Sequence, residues 1–253
     1  MFALEPGILG PHLRQLGAAL QDIVAIVVVS PHWQTRGVRI SGAAQQTALH
    51  DFGGFPAPLY ALQYAPPGAP ALAQDIADLL GQSGLSATLD IQRELDHGAW
   101  VPLRHFRPAA DLPVVQVSLP YDIDAAGAMR LGQALAPLRD RGVLVMGSGS
   151  LTHNLYEFRQ PVRDPEYAQA FADWIAVAVM HGDDDALIGY RTRAPHAARA
   201  HPTEEHYLPL LVALGASTPD EPRTHIPGGM TDGVLSMDSF AFGLTSAPPQ
   251  PQS

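Results

Sequence analysis

Three apolar, β-branched runs mark the chain: IVAIVVV at 23–29, PVVQVSL at 113–119 and GVLVMG at 142–147. IVAIVVV and GVLVMG have no polar alternation, and all three runs read as buried strands. Segments with apolar residues three and four apart predict helices over 70–82, 124–140, 165–181 and 203–214. Asp164 followed by Pro165 reads as the cap and first turn of the third of these. Shorter strands are expected at 37–41, 86–91 and 234–242. Strands alternating with helices predict an α/β fold: a single layered domain whose central sheet, largely parallel or mixed, is flanked by helices. The domain is expected to span 1–245, and the closing residues 246–253, within SAPPQPQS, read as a disordered tail.

Composition narrows the chemistry more than the fold. With 46% hydrophobic and 16% charged residues the chain reads as globular, and its longest apolar runs are too short to cross a bilayer. MFALEPGILG has no basic region leading into an apolar one, so no signal peptide is expected and the reading is cytoplasmic. A net charge of −10 with scattered arginines disfavours nucleic acid. The chain has no cysteine and no lysine, which removes thiolate nucleophiles, sulfur-held metals, Schiff bases and the P-loop lysine. Catalysis then falls to other side chains, and the 11 histidines are the first place to look.

Ligand sites in open α/β sheets lie beyond the carboxyl ends of the strands. His32, in SPHW, follows the first apolar run, and His153, in GSGSLTHNL, follows the third. The glycines of MGSGS permit a sharp turn there, and they do not match a dinucleotide fingerprint. Asn154 is the one asparagine in the chain; such a residue can hold a left-handed turn or bond its own backbone. HPTEEHYLPLL places His206 in the first turn of an amphipathic helix beside Glu204 and Glu205, an arrangement that suits either the helix dipole or a metal. HDFGGFP sets His50 in a loop able to close over a planar ligand or to form an apolar surface turn, and LDHGAW puts His97 at a helix start capped by Asp96. Each histidine alone reads as readily as a hydrogen-bonded loop residue. Together, without thiols, these five favour a divalent first-row metal, and both iron(II), with oxygen chemistry, and zinc, with hydrolysis, fit. His12, His105, His181, His196 and His225 read as surface or packing residues.

Taken in order, SPHW, HDFGGFP, LDHGAW, PVVQVSL, GSGSLTHNL and HPTEEHYLPLLVALGA resemble the class III extradiol ring-cleavage dioxygenases, in particular the 4,5-DOPA dioxygenase branch, from about residue 1 to about residue 243. The resemblance implies an oxidoreductase that opens a DOPA-like catechol next to its diol with Fe(II) and O2, zinc being able to occupy the same site. It implies His32 and His206 as metal ligands. His153 would be the acid/base catalyst or an extra ligand when zinc is bound, with Asn154 bracing its loop beside the substrate. His97 and His50 would line the catechol pocket, His97 also serving the chemistry. An imidazole with a pKa near 6.5 can take a phenolic proton and return it, worth roughly 10²–10⁴ in rate.

The resemblance also implies a first strand ending in a ligand-bearing Gly-His-Gly block ahead of the segment that here reads MFALEPG. The expectation is therefore a sheet with one open edge and an incomplete ligand set, from an upstream start or from a weakened metal site. Two further readings compete: a non-catalytic interaction module on the same scaffold, as in the Memo family, and a zinc-dependent hydrolase.

Overall fold

The computed structural model describes residues 2–158 and 166–244. The expected cap at Asp164–Pro165 and the tail lie outside the described residues. Five strands build the central sheet: β1 (Ala25–Thr35), β2 (Val38–Ser41), β3 (Ala87–Asp90), β4 (Val114–Pro120) and β5 (Val143–Gly147). Their spatial order is β3-β2-β4-β1-β5. β1 runs parallel to β4 and β5, and β2 parallel to β3, while β2 meets β4 antiparallel at Ile40 and Val117. The sheet is thus mixed.

Helices cover both faces. α1 (Leu9–Ala19) and α4 (His97–Phe106) lie on one, and α3 (Pro70–Gln82) and α5 (Ala125–Leu135) on the other, with a short α2 (Ala57–Tyr60) in a loop. Val27 and Val29 point into the core with α3 and α5; Ile26 and Val28 point toward Trp100, Leu103 and Phe106 of α4. Two covered faces explain why β1 lacks a polar register and why Gln116 and Ser118, the polar positions of β4, are themselves fully buried. After α6 (Glu166–His181) come three short helices, α7 (Asp184–Ile188), α8 (Tyr190–Arg193) and α9 (Ala197–Ala200), and then α10 (Leu208–Gly215). Two small antiparallel pairs complete the fold: β6 (Arg223–Ile226) with β9 (Ser239–Phe242), and β7 (Met230–Thr231) with β8 (Leu235–Ser236). No helix among the described residues is long and apolar enough to cross a membrane.

Two helix boundaries correct the periodicity. The helix expected over 124–140 stops at Leu135 and continues as a 3-10 turn, Ala136–Arg141. Pro137 lacks the N–H that an α-helix would donate to Gln133. The helix expected over 203–214 begins only at Leu208, with Pro209 in its first turn, where the missing N–H leaves no intrahelical bond unmade. His206 therefore sits in a turn before the helix, with Tyr207 N–H bonding Glu204 O at 2.9 Å.

Two details of the sheet shape the site. Val29 pairs with Val117 but Gln34 pairs with Leu119, so β1 loops out between them and carries His32 away from the ladder. Pro31, with no N–H to give, is tolerated in such an irregularity. On the other side, the outer edge of β5 has no neighbouring strand among the described residues. A cavity of about 710 Å³ runs along that edge, past Leu144, Met146, Leu13, Leu16 and Ile226, and reaches the histidines at the carboxyl end of the sheet.

Candidate metal centre and active site

Four of the five singled-out histidines meet at the cavity: His32, His97, His153 and His206. They form a row. The His97 and His32 ring centroids are 3.9 Å apart, those of His32 and His206 5.0 Å, and His206 stacks on His153 at 3.4 Å with the planes 8° apart.

One half of the row is rooted in β1 and α4. Asp96, fully buried, caps α4 by accepting from Ala99 N at 3.1 Å, and it also accepts from Ser30 Oγ at 2.7 Å, Arg93 Nη2 at 3.2 Å and Gln116 Nε2. The strand end that bears His32 is thereby tied to the helix start that bears His97. Gly98 lies between them, where a Cβ would stand 2.3 Å from Ser30 Oγ and 2.8 Å from His32 Cδ2. His97 itself is held by Asp51, whose Oδ1 accepts from its Nδ1 at 2.8 Å and from its backbone N at 3.0 Å.

The other half is rooted in the loop after β5. The glycines of MGSGS serve close approach rather than the sharp turn expected of them, since neither Gly147 nor Gly149 has positive φ. A Cβ on Gly147 would come within 1.9 Å of Pro209 O, and one on Gly149 within 2.3 Å of His206 O. Ser150 N–H bonds His206 O at 3.0 Å, and His153 N–H bonds Ala200 O at 2.8 Å, so the loop is tied both to the turn that bears His206 and to the end of α9. His201 completes the joint: fully buried, it donates from Nε2 to Leu151 O at 2.7 Å.

Burial dominates the electrostatics. It pushes the pKa of His153 down to about 3, and nearby His206 and His201 add to the effect. His32 opens onto the cavity on one side, yet desolvation by the protein around it, with His97 and His206, lowers it to about 3 as well. Burial lowers His201 to about 4. His32 and His153 are thus neutral near pH 7, as a metal ligand or a general base must be. Glu205 accepts from His206 Nδ1 at 3.0 Å, and that hydrogen bond leads in drawing the carboxyl down to about 2.

His206 Nε2 is buried and has no protein partner. A carboxylate behind one ring nitrogen and a bare lone pair on the other is how a metal-binding imidazole is held, so the donor set fits a first-row divalent metal. Ligand atoms of His153, Glu205 and His206 lie within 4.8 Å of one another, as do those of His32, Asp51 and His97.

Two expected site residues stand behind this surface. His50 donates from Nε2 to Leu62 O at 3.0 Å and packs against Phe52, Tyr60 and Trp100, leaving Phe52 to face the cavity. Asn154 is buried, with Nδ2 on Arg199 O at 2.9 Å and Oδ1 accepting from Tyr156 N at 3.1 Å. Both are spent on the protein, because the loops that carry them pack inward. The sequence reading passed over Asp51, the second residue of HDFGGFP, and His201, the first of HPTEEHYLPLL.

A profile described as "Catalytic LigB subunit of aromatic ring-opening dioxygenase" matches residues 11–228. The chain belongs to this family. As a member of the ring-opening dioxygenases it is an oxidoreductase of the extradiol type, acting on catechol-like aromatics. It is 42% identical to the 4,5-DOPA dioxygenase extradiol of Beta vulgaris over 224 residues, covering 87% of this chain and 83% of that one. Identity to the 4,5-DOPA dioxygenase extradiol of Escherichia coli K12 is 37% over 253 residues, covering 96% and 91%. The crystal structure of an uncharacterized protein from Escherichia coli K12 shares the dioxygenase fold, with a TM-score of 0.76, 34% identity and 91% coverage of each chain.

Proposed function

We propose that the protein uses Fe(II) to cleave a DOPA-like catechol next to its diol, with His32 and His206 as protein ligands, zinc being able to take the same place. The observation that carries this reading is the row of four imidazoles at one cavity end, with a bare Nε2 on His206 and neutral rings at His32 and His153. The relatives named as DOPA dioxygenases support the choice of substrate.

His97 and His153 flank the proposed ligands and divide the proton work. In this reading His97 Nε2 accepts the proton of a ring hydroxyl, because its Nδ1 is already committed to Asp51. His153, a neutral ring lying against His206, takes the proton of the other ring hydroxyl and returns it to the opening ring from the other side. Phe52 and Phe55 form an apolar wall that stacks on the ring and excludes water, with His50 fixing Phe52 from behind. Asn154 serves by holding the His153 loop. The metal's contribution, when bound, is to acidify the ring hydroxyls and bring O2 beside the ring.

The test is anaerobic reconstitution with Fe(II), followed by bound iron, O2 uptake and yellow colour on adding DOPA. Stoichiometric iron with one O2 consumed per ring opened is the expected result. Tight iron binding without O2 uptake on any catechol would overturn the proposed chemistry.

A further inference from the structure

We propose that Asp51 is a positioning residue that locks His97 in the Nδ1–H tautomer, so that the Nε2 lone pair is presented to the cavity. What that lone pair does there rests on the dioxygenase reading; the lock itself does not.

The geometry is unusually restrictive. One oxygen, Oδ1, accepts both from the backbone N of His97 at 3.0 Å and from its Nδ1 at 2.8 Å. The backbone bond places the oxygen relative to the His97 main chain, and the ring must then turn Nδ1 toward it. An oxygen in that place can only accept, so Nδ1 carries the hydrogen, and in the neutral ring Nε2 then carries none. Burial by itself would raise the Asp51 carboxyl, but the hydrogen bonds it accepts from His97 bring it below its ordinary value, so the acceptor is an anion.

The segment that supplies Asp51 is itself fixed. Leu49 N bonds Leu95 O at 2.8 Å, Leu95 N bonds Thr47 O at 2.9 Å, and Trp100 Nε1 bonds Leu49 O at 2.9 Å. On its far side Phe52 meets the His97 ring edge to face at 5.5 Å. The carboxylate is thus delivered from a braced loop to the first residue of α4, while Asp96 caps the same helix from inside. Two carboxylates serve one helix start, and Asp51 is the one that reaches the ring.

The experiment uses the whole chain with ¹⁵N-labelled histidine, metal-free, at about pH 8, where an ordinary imidazole is neutral. His97 is assigned by the loss of its signals in His97→Gln. We expect the Nδ1–H pattern in the wild type and in Asp51→Asn, whose amide oxygen can take the same two bonds. In Asp51→Ala the Nε2–H pattern should emerge. An Nε2–H ring in the wild type, or no change in Asp51→Ala, would overturn the lock.

Kinetics on the Fe(II)-loaded proteins then read its consequence. Asp51→Ala should lower kcat roughly 10- to 100-fold with KM and bound iron little changed, and Asp51→Asn should lose less. Loss of iron in Asp51→Ala would make Asp51 a ligand and overturn the positioning role, as would a changed tautomer with unchanged kcat. A locked tautomer in a wild type that turns over no catechol would uphold the lock and defeat the dioxygenase reading alone.

Discussion

At His206 the two ring nitrogens have different fates: Nδ1 is backed by Glu205 and Nε2 is left bare. Removing the charge behind a ligand imidazole weakens it as a donor. Glu205→Gln is therefore expected to lower iron affinity roughly 10- to 100-fold with little change in Tm, read by anaerobic Fe(II) titration. His201 gives a second expectation, for stability. Its folded pKa, about 4, lies below the ordinary 6.5 because burial disfavours its charge. Between those values the unfolded chain takes up a proton that the folded chain refuses, so stability is full above about pH 6.5 and falls as pH drops toward 4. His32 and His153 act in the same direction. In His201→Phe that fall should be shallower, and the Leu151 carbonyl left without its partner should cost about 1–3 kcal/mol near neutrality. Urea unfolding across the pH range checks both; an unchanged slope would remove His201 from the account. That His32, His97, His153 and His206 would meet at one cavity was legible, because cavities in such sheets open at strand ends. The bonds of Asp51 to His97 and of His201 to Leu151 were not, since neither residue has a pattern of its own.

Elements bring these residues together by close approach. The loop after β5 and the turn before α10 touch backbone to backbone at Gly147 and Gly149. In Gly149→Ala the new methyl would meet His206 O, a main-chain atom with nowhere to swing. The variant is expected to fold with a lowered Tm and to bind less iron, because the turn bearing His206 must retreat. Iron content equal to the wild type would show that the two segments are not rigidly joined. The helical period around 203–214 was readable, but its true start lies at Leu208, where Pro209 in the first turn leaves no intrahelical bond unmade. The excursion of β1 that throws out His32 left no trace in the apolar pattern, for a bulge is a matter of pairing and pairing is invisible in one strand alone.

Across the whole molecule, the uninterrupted apolar runs carried the most information. IVAIVVV predicted a strand covered on both faces, and Ile26 and Val28 do face one helical layer while Val27 and Val29 face the other. What the pattern could not supply was strand order, which depends on contacts far apart in sequence; the antiparallel meeting of β2 and β4 is an example. The buried carboxylate of Asp96 spans this scale, since it touches β1 through Ser30, β4 through Gln116 and the first turn of α4. Asp96→Ala should raise amide hydrogen exchange at His32 and at Ala99 together, whereas separate rises would mean that strand and helix are anchored independently. In mechanical terms Asp96 pins His32 to His97, and Ser148, whose N–H donates to Val29 O at 2.9 Å and whose Oγ donates to Gly98 O, fastens that pair to the loop that leads to His153, so the row of rings is one braced unit.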